Sequence, residues 1–125
     1  MTAHRKGGEE FLLPRLRRAL DHAGNTHDWN HVVARIASGQ AQYWQSDNGQ
    51  GALVTELLSF PNLLVVNYWL AGGELQACLS LVPTVEAWAR AQGASRATGL
   101  GRPGFSQLLG ASGVTVAGVA YRKEL

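Results

Sequence analysis

Leu63-Leu64-Val65-Val66-Asn67-Tyr68-Trp69-Leu70 is apolar at odd and even positions alike. Successive side chains of a strand point to opposite faces, so this segment has no face to offer to water. It belongs inside a sheet, with helices covering both sides, which makes the fold class α/β. Just upstream, Ala52 to Phe60 is rich in β-formers, and Pro61-Asn62 is a turn. Before that come the short aromatic strand Ala41-Gln42-Tyr43-Trp44 and the turn residues Ser46 to Gly49. Strands joined by turns this short pair antiparallel, so 41–45, 52–60 and 63–70 form a meander.

Downstream, Ala71-Gly72-Gly73 breaks the third strand. Glu74 to Gln92 then carries Leu75, Cys78, Leu79, Val82, Val85 and Ala89 at helical spacing, and Gly93 closes it. Leu79, Val82 and Val85 are its expected buried face. Pro83 implies a kink or a restart within this helix. Ser95 to Leu100 is a fourth strand, Gly101-Arg102-Pro103-Gly104 a turn, and Phe105 to Leu109 a short helix. Val114 to Arg122 alternates Val114, Val116, Gly118, Ala120 against Thr115, Ala117, Val119, Tyr121, the pattern of a last strand. At the other end, Glu9 to Ala23 is an amphipathic helix with Pro14 tolerable only in its first turn, stopped by Gly24-Asn25. Asp28 is the N-cap of a second helix bearing Trp29, Val32, Val33 and Ile36, ended by Gly39. The order is α-α-β-β-β-α-β-α-β. A strand–helix–strand unit after a meander makes the sheet mixed.

A chain of 125 residues is one domain, assigned here to 9–125, with 1–8 as a loose arm. Hydrophobic content of 46% with 16% charged residues excludes disorder. The single cysteine, Cys78, excludes an internal disulfide and points to a reducing compartment. No apolar run approaches the roughly 18 residues that span a bilayer. The basic start Met1 to Lys6 is followed by Gly7-Gly8-Glu9-Glu10 and not by a signal core, so a cytoplasmic location and no membrane partner are expected. A net charge of +2 is slight and does not by itself imply nucleic acid or a membrane surface.

From about Val32 to Leu125 the element order resembles the GNAT N-acetyltransferase fold. The resembling pieces are Glu86-Ala-Trp-Ala-Arg-Ala-Gln-Gly93 leading into Ala94-Ser-Arg-Ala-Thr98, and Leu109-Gly-Ala-Ser-Gly113-Val114. Ala52-Leu-Val-Thr-Glu56, Tyr68-Trp-Leu-Ala-Gly-Gly73 and Gly101-Arg-Pro-Gly104 look like small GNAT-like proteins of tailed bacteriophages, some of which accompany virion-assembly genes. The resemblance implies a protein partner, either a phage structural protein or a host protein, with self-association also open and incorporation in the virion conceivable. It implies acetyl-CoA as cofactor only if the chain is an enzyme; otherwise none is expected. Matching the family's pyrophosphate loop puts Gly73, Glu74, Gln76 and Cys78 on its arginine and glycine positions, so only Gly72-Gly73 is permissive. Ala71, Gly72, Gly73 and Arg102 are the candidate cofactor-binding residues. The family's acid, a tyrosine, falls on Leu109, which transfers no proton. These departures favour a scaffold over an N-acyltransferase acting on a protein or small amine.

Glu56, mid-strand, is the candidate catalytic base, against an outward residue or a partner for Arg102. Arg102 follows a strand end, where ligand sites gather, and could grip a phosphate or carboxylate. His27 and His31 share a helix start but lack a third ligand, so no metal site is assigned. Cys78 falls on an apolar stripe and is a core residue. Arg15, Arg17 and Arg18, with Arg5 and Lys6, are interleaved with apolar residues and make a solvated helix face. Trp29, Trp44, Trp69 and Trp88 are packing residues.

Overall fold

A computed structural model of the chain describes residues 9–101 and 113–125. Seven elements follow in order: α1 (Glu9–His22), α2 (Trp29–Ala37), β1 (Ala41–Gln45), β2 (Gly51–Ser59), β3 (Leu64–Gly73), α3 (Leu75–Ala91) and β4 (Ala94–Gly99). The strands make one mixed sheet in the order β1-β2-β3-β4. β1, β2 and β3 are the antiparallel meander, and β4 lies parallel to β3 after the α3 crossover. β3 is flanked on both edges, the position its two-sided apolarity demands.

Alternation along β2 builds two cores. Ala52 and Val54 meet Leu12, Leu16 and Leu20 of α1, Val32 of α2, and Leu70. Leu53 points the other way, to Trp44, Val66 and the α3 residues Cys78, Leu81, Val85 and Ala89. The molecule is therefore α1/α2, sheet, α3 in three layers. The α3 side is joined by a buried polar chain: Trp44 Nε1 donates to Thr55 Oγ1 at 2.9 Å, and Thr55 Oγ1 donates to Gln42 Oε1 at 2.9 Å.

The structure corrects several sequence expectations. The buried stripe of α3 is Ala77, Cys78, Leu81, Val85 and Ala89, while Leu79 and Val82 are only half-buried. Both sets repeat at helical spacing, and the sheet chose the one with Ala and Cys because small side chains let the helix approach. Gly51 shows how closely: a Cβ there would lie 2.7 Å from Ala77 Cβ and from the Cys78 backbone nitrogen. α3 passes through exposed Pro83 as one helix, and α1 carries Pro14 beyond its first turn. Ala71-Gly72-Gly73 does not break β3; it pairs with Leu53, Ala52 and Gly51. Val114 to Arg122 forms no strand, and Val116, Val119 and Tyr121 are exposed. Alternation shows that a segment can pair, but here 113–125 runs to the α1–α2 connection, where Arg122 stands beside Gly24. The expected arm at 1–8 and the helix at 105–109 lie outside the described residues.

Candidate functional site

The sheet face under α1 and α2 turns polar toward β4. Ala52, Val54, Glu56 and Leu58 share this face of β2, and Glu56 stands opposite Asn67 of β3. Asn67 stands beside Thr98 of β4. The pairing puts three polar side chains in a row: Asn67 Nδ2 donates to Glu56 Oε1 at 3.3 Å, and Thr98 Oγ1 donates to Asn67 Oδ1 at 2.9 Å. From α2, Arg35 Nη2 reaches the other Glu56 oxygen at 3.2 Å. Both oxygens of Glu56 are thus engaged, and the side chain is 17% exposed.

A bulge completes the site. Val54 pairs with Leu70 but Thr55 pairs with Tyr68, so Trp69 is an extra residue in β3. An inserted residue re-aims a side chain and bends the strand. Trp69 packs against the same core as Leu70. The Arg35 guanidinium lies 5.7 Å from its ring centre, and the His27 ring meets it edge-on at 4.9 Å. Arg35 Nε is buried with no hydrogen-bond partner among the described residues. The bulge at Trp69 lies just upstream of Ala71-Gly72-Gly73.

Those three residues lie toward the opposite end of β2 from Glu56, with Gly72 facing Ala52. α1 covers Gly72 so closely that a Cβ would stand 3.1 Å from the Leu16 backbone nitrogen. Gly73 has φ +102°, and a Cβ on it would collide with the Gln50 carbonyl oxygen. The Glu74 N–H that follows donates to that same oxygen at 2.9 Å. Glu74 is the N-cap of α3, and its exposed carboxylate stands at the helix start. Arg102 and Leu109 lie outside the described residues.

Other candidates take structural places. His31 Nδ1 accepts from the Asp28 N–H at 2.9 Å, closing the start of α2, and Thr26 Oγ1 lies 2.8 Å from His27 Nδ1. Among the described residues no three His, Cys, Asp or Glu side chains gather to hold a metal. Cys78 is buried, its Sγ 3.3 Å from the Gly72 carbonyl oxygen, and burial pushes the thiol pKa up. Arg15, Arg17 and Arg18 are exposed; Arg15 caps the Phe11 ring at 3.6 Å, and Arg17 stands 5.8 Å from the Trp29 ring centre. No described helix is long and apolar enough to cross a membrane. At the β2–β3 turn an open depression of about 370 Å³ is lined by Leu58, Phe60, Leu63, Val65, Arg96 and Thr98, among others.

Sequence reasoning singled out Glu56 but not the Arg35 and Asn67 that bond it. Asn67 carried a signal: an amide inside an otherwise apolar central strand needs a hydrogen-bond partner from its neighbours. Arg35, three residues after the buried Val32 on α2, carried a weaker one.

The fold and this site define a small three-layer protein with a mixed four-stranded sheet. No family model and no curated protein matches the chain. Among solved structures, the tetramutant of the BH1408 protein from Bacillus halodurans is similar in fold, with a TM-score of 0.65 over 100% of both chains at 8% identity.

Proposed function

We propose that this chain is a GNAT-like accessory protein of a tailed bacteriophage that serves virion assembly as a protein-binding scaffold and not as a transferase. One observation carries the scaffold reading. The junction where a GNAT enzyme would hold a pyrophosphate is filled by the protein's own groups. Gly72 is covered by α1, Gly73 is packed on the Gln50 carbonyl, and the first amide of the junction is spent on that carbonyl. The Glu74 carboxylate adds repulsion, since a pyrophosphate carries about two negative charges and needs free N–H groups or cations. The phage setting rests on the short resembling stretches at 52–56, 68–73 and 101–104.

The transferase alternative has one observation in its favour: a half-buried carboxylate, Glu56, on the polar part of the sheet face. Arg35 and Asn67 engage both oxygens of that carboxylate, the arrangement of a structural anchor.

Calorimetric titration with acetyl-CoA and with CoA tests the reading, and the expected result is no saturable heat. Purified virion structural proteins, offered one at a time, should yield one that binds. A Kd of about 10 μM for acetyl-CoA, worth about −7 kcal/mol, with transfer of the acetyl group to an amine and release of CoA, both abolished by Glu56→Gln, would establish the transferase instead.

A further inference from the structure

Residues 114–121 and the outer edge of β4 both lack a strand partner among the described residues. Val114 and Val116 alternate with Thr115 and Ala117, and Val119 and Tyr121 continue on the second face. This is strand chemistry, yet the segment lies outside the sheet with Val116 69%, Val119 71% and Tyr121 91% exposed. Its far end is placed by Arg122, whose Nη1 lies 2.7 Å from where a Cβ on Gly24 would stand, at the α1–α2 connection. β4, meanwhile, is paired with β3 alone among the described strands, and Ser95 to Gly99 are exposed. An open strand edge presents a row of backbone donors and acceptors ready to pair. The depression lined by Leu58, Phe60, Val65, Arg96 and Thr98 adjoins this edge, on the face that Arg96 and Thr98 share with Val65 and Asn67. A strand laid along β4 would set alternate side chains beside it.

We propose that the chain forms a two-fold dimer by reciprocal strand addition, with residues 114–121 of each copy pairing along the outer edge of β4 in the other. The occupant is a second copy because both halves belong to one chain and occur in equal number. A two-fold axis makes the contact twice, so both exposed segments and both open edges disappear together. No described strand fills that edge within one chain, and the 113–125 segment runs to the α1–α2 connection.

Sedimentation equilibrium on the full chain, from low micromolar to near-millimolar concentration, tests this alongside the variants Val116→Pro and Val119→Pro. Both positions are exposed and outside every described element, so the monomer fold should stand, which circular dichroism checks. The expected result is a concentration-dependent dimer whose dissociation constant rises about tenfold or more with one of the two prolines. Successive N–H groups of a strand point to opposite sides, so only one of positions 116 and 119 donates to β4, and that bond is lost twice in the dimer. Amide hydrogen exchange should slow at 94–99 and 114–121 together as concentration rises. A monomer at every concentration overturns the proposal, and so does a dimer indifferent to both prolines. Protection of 114–121 under conditions where the chain is monomeric overturns it too, because the segment would then be folded on its own molecule.

Discussion

Thr55 is fully buried and holds both ends of a polar chain, accepting from Trp44 Nε1 and donating to Gln42 Oε1. Its hydroxyl satisfies two groups that water cannot reach. Thr55→Val keeps the shape and leaves a donor and an acceptor without partners, so a loss of about 1–3 kcal/mol is expected in urea unfolding. Thr55→Ser, which keeps the hydroxyl, should lose less. Tyr68 shows the opposite case. Its hydroxyl is buried with no hydrogen-bond partner among the described residues. Burial, with the Glu86 carboxylate adding to it, raises the phenol from its ordinary 10.0 to about 12. The folded chain therefore holds this proton to higher pH than the unfolded chain does. The stability it contributes is fully present below pH 10 and is lost as pH rises toward about 12. Tyr68→Phe should leave stability at neutral pH unchanged or slightly higher, and should flatten the decline between pH 10 and 12. Urea midpoints measured across that range for both proteins check the sign. A decline equally steep in the variant would mean that other groups cause it.

At the scale of elements, α3 decides which of two overlapping apolar stripes meets the sheet. Leu81 is 6% exposed and contacts the Trp44, Val66 and Val85 core, whereas Leu79 is half-buried. Leu81→Ala should cost roughly 2–5 kcal/mol, and Leu79→Ala only about 1 kcal/mol. Thermal and urea unfolding of the pair measure the contrast, and equal losses would mean the helix is rotated from the face described. The comparison also shows what periodicity can convey. Spacing located α3 to within a residue at each end but not its orientation, because Leu75, Leu79 and Val82 form as good a stripe as Cys78, Leu81 and Val85. The deciding fact was the close approach at Gly51, a contact between residues 26 apart that no local pattern carries. The same holds for the site. Glu56 was visible as a carboxylate in a strand, but its Arg35 partner arrives from another element. β3 was legible because its apolarity on both faces is a property of one segment. Residues 114–122 misled for the complementary reason: alternation is local, but where the segment runs is set by contacts such as Arg122 beside Gly24, which no local pattern carries.

At the scale of the molecule, one sheet is shared by two cores, and the tryptophans report on them separately. Trp29 and Trp69 pack with the α1/α2 core, while Trp44 and Trp88 lie together in the α3 core, ring centres 5.5 Å apart. Because Val54 and Leu53 are neighbours on β2 and point to opposite layers, neither core can melt without releasing the strand that forms the other's floor. Gly72 and Gly73 tie the layers further, with α1 resting on the first and the start of α3 bonded to the carbonyl beside the second. A destabilising change in one layer should therefore be felt in both. Variants that keep only Trp69 or only Trp44 give fluorescence from one layer at a time. With Leu81→Ala added on the α3 side, both probes should show the same lowered urea midpoint, coincident with far-ultraviolet circular dichroism. A Trp69 signal that keeps its original midpoint while Trp44 reports the loss would mean that the α1/α2 layer and the meander fold as a unit independent of α3. In that case the sheet would be joined to α3 by packing alone, and the cooperative unit would be smaller than the three layers.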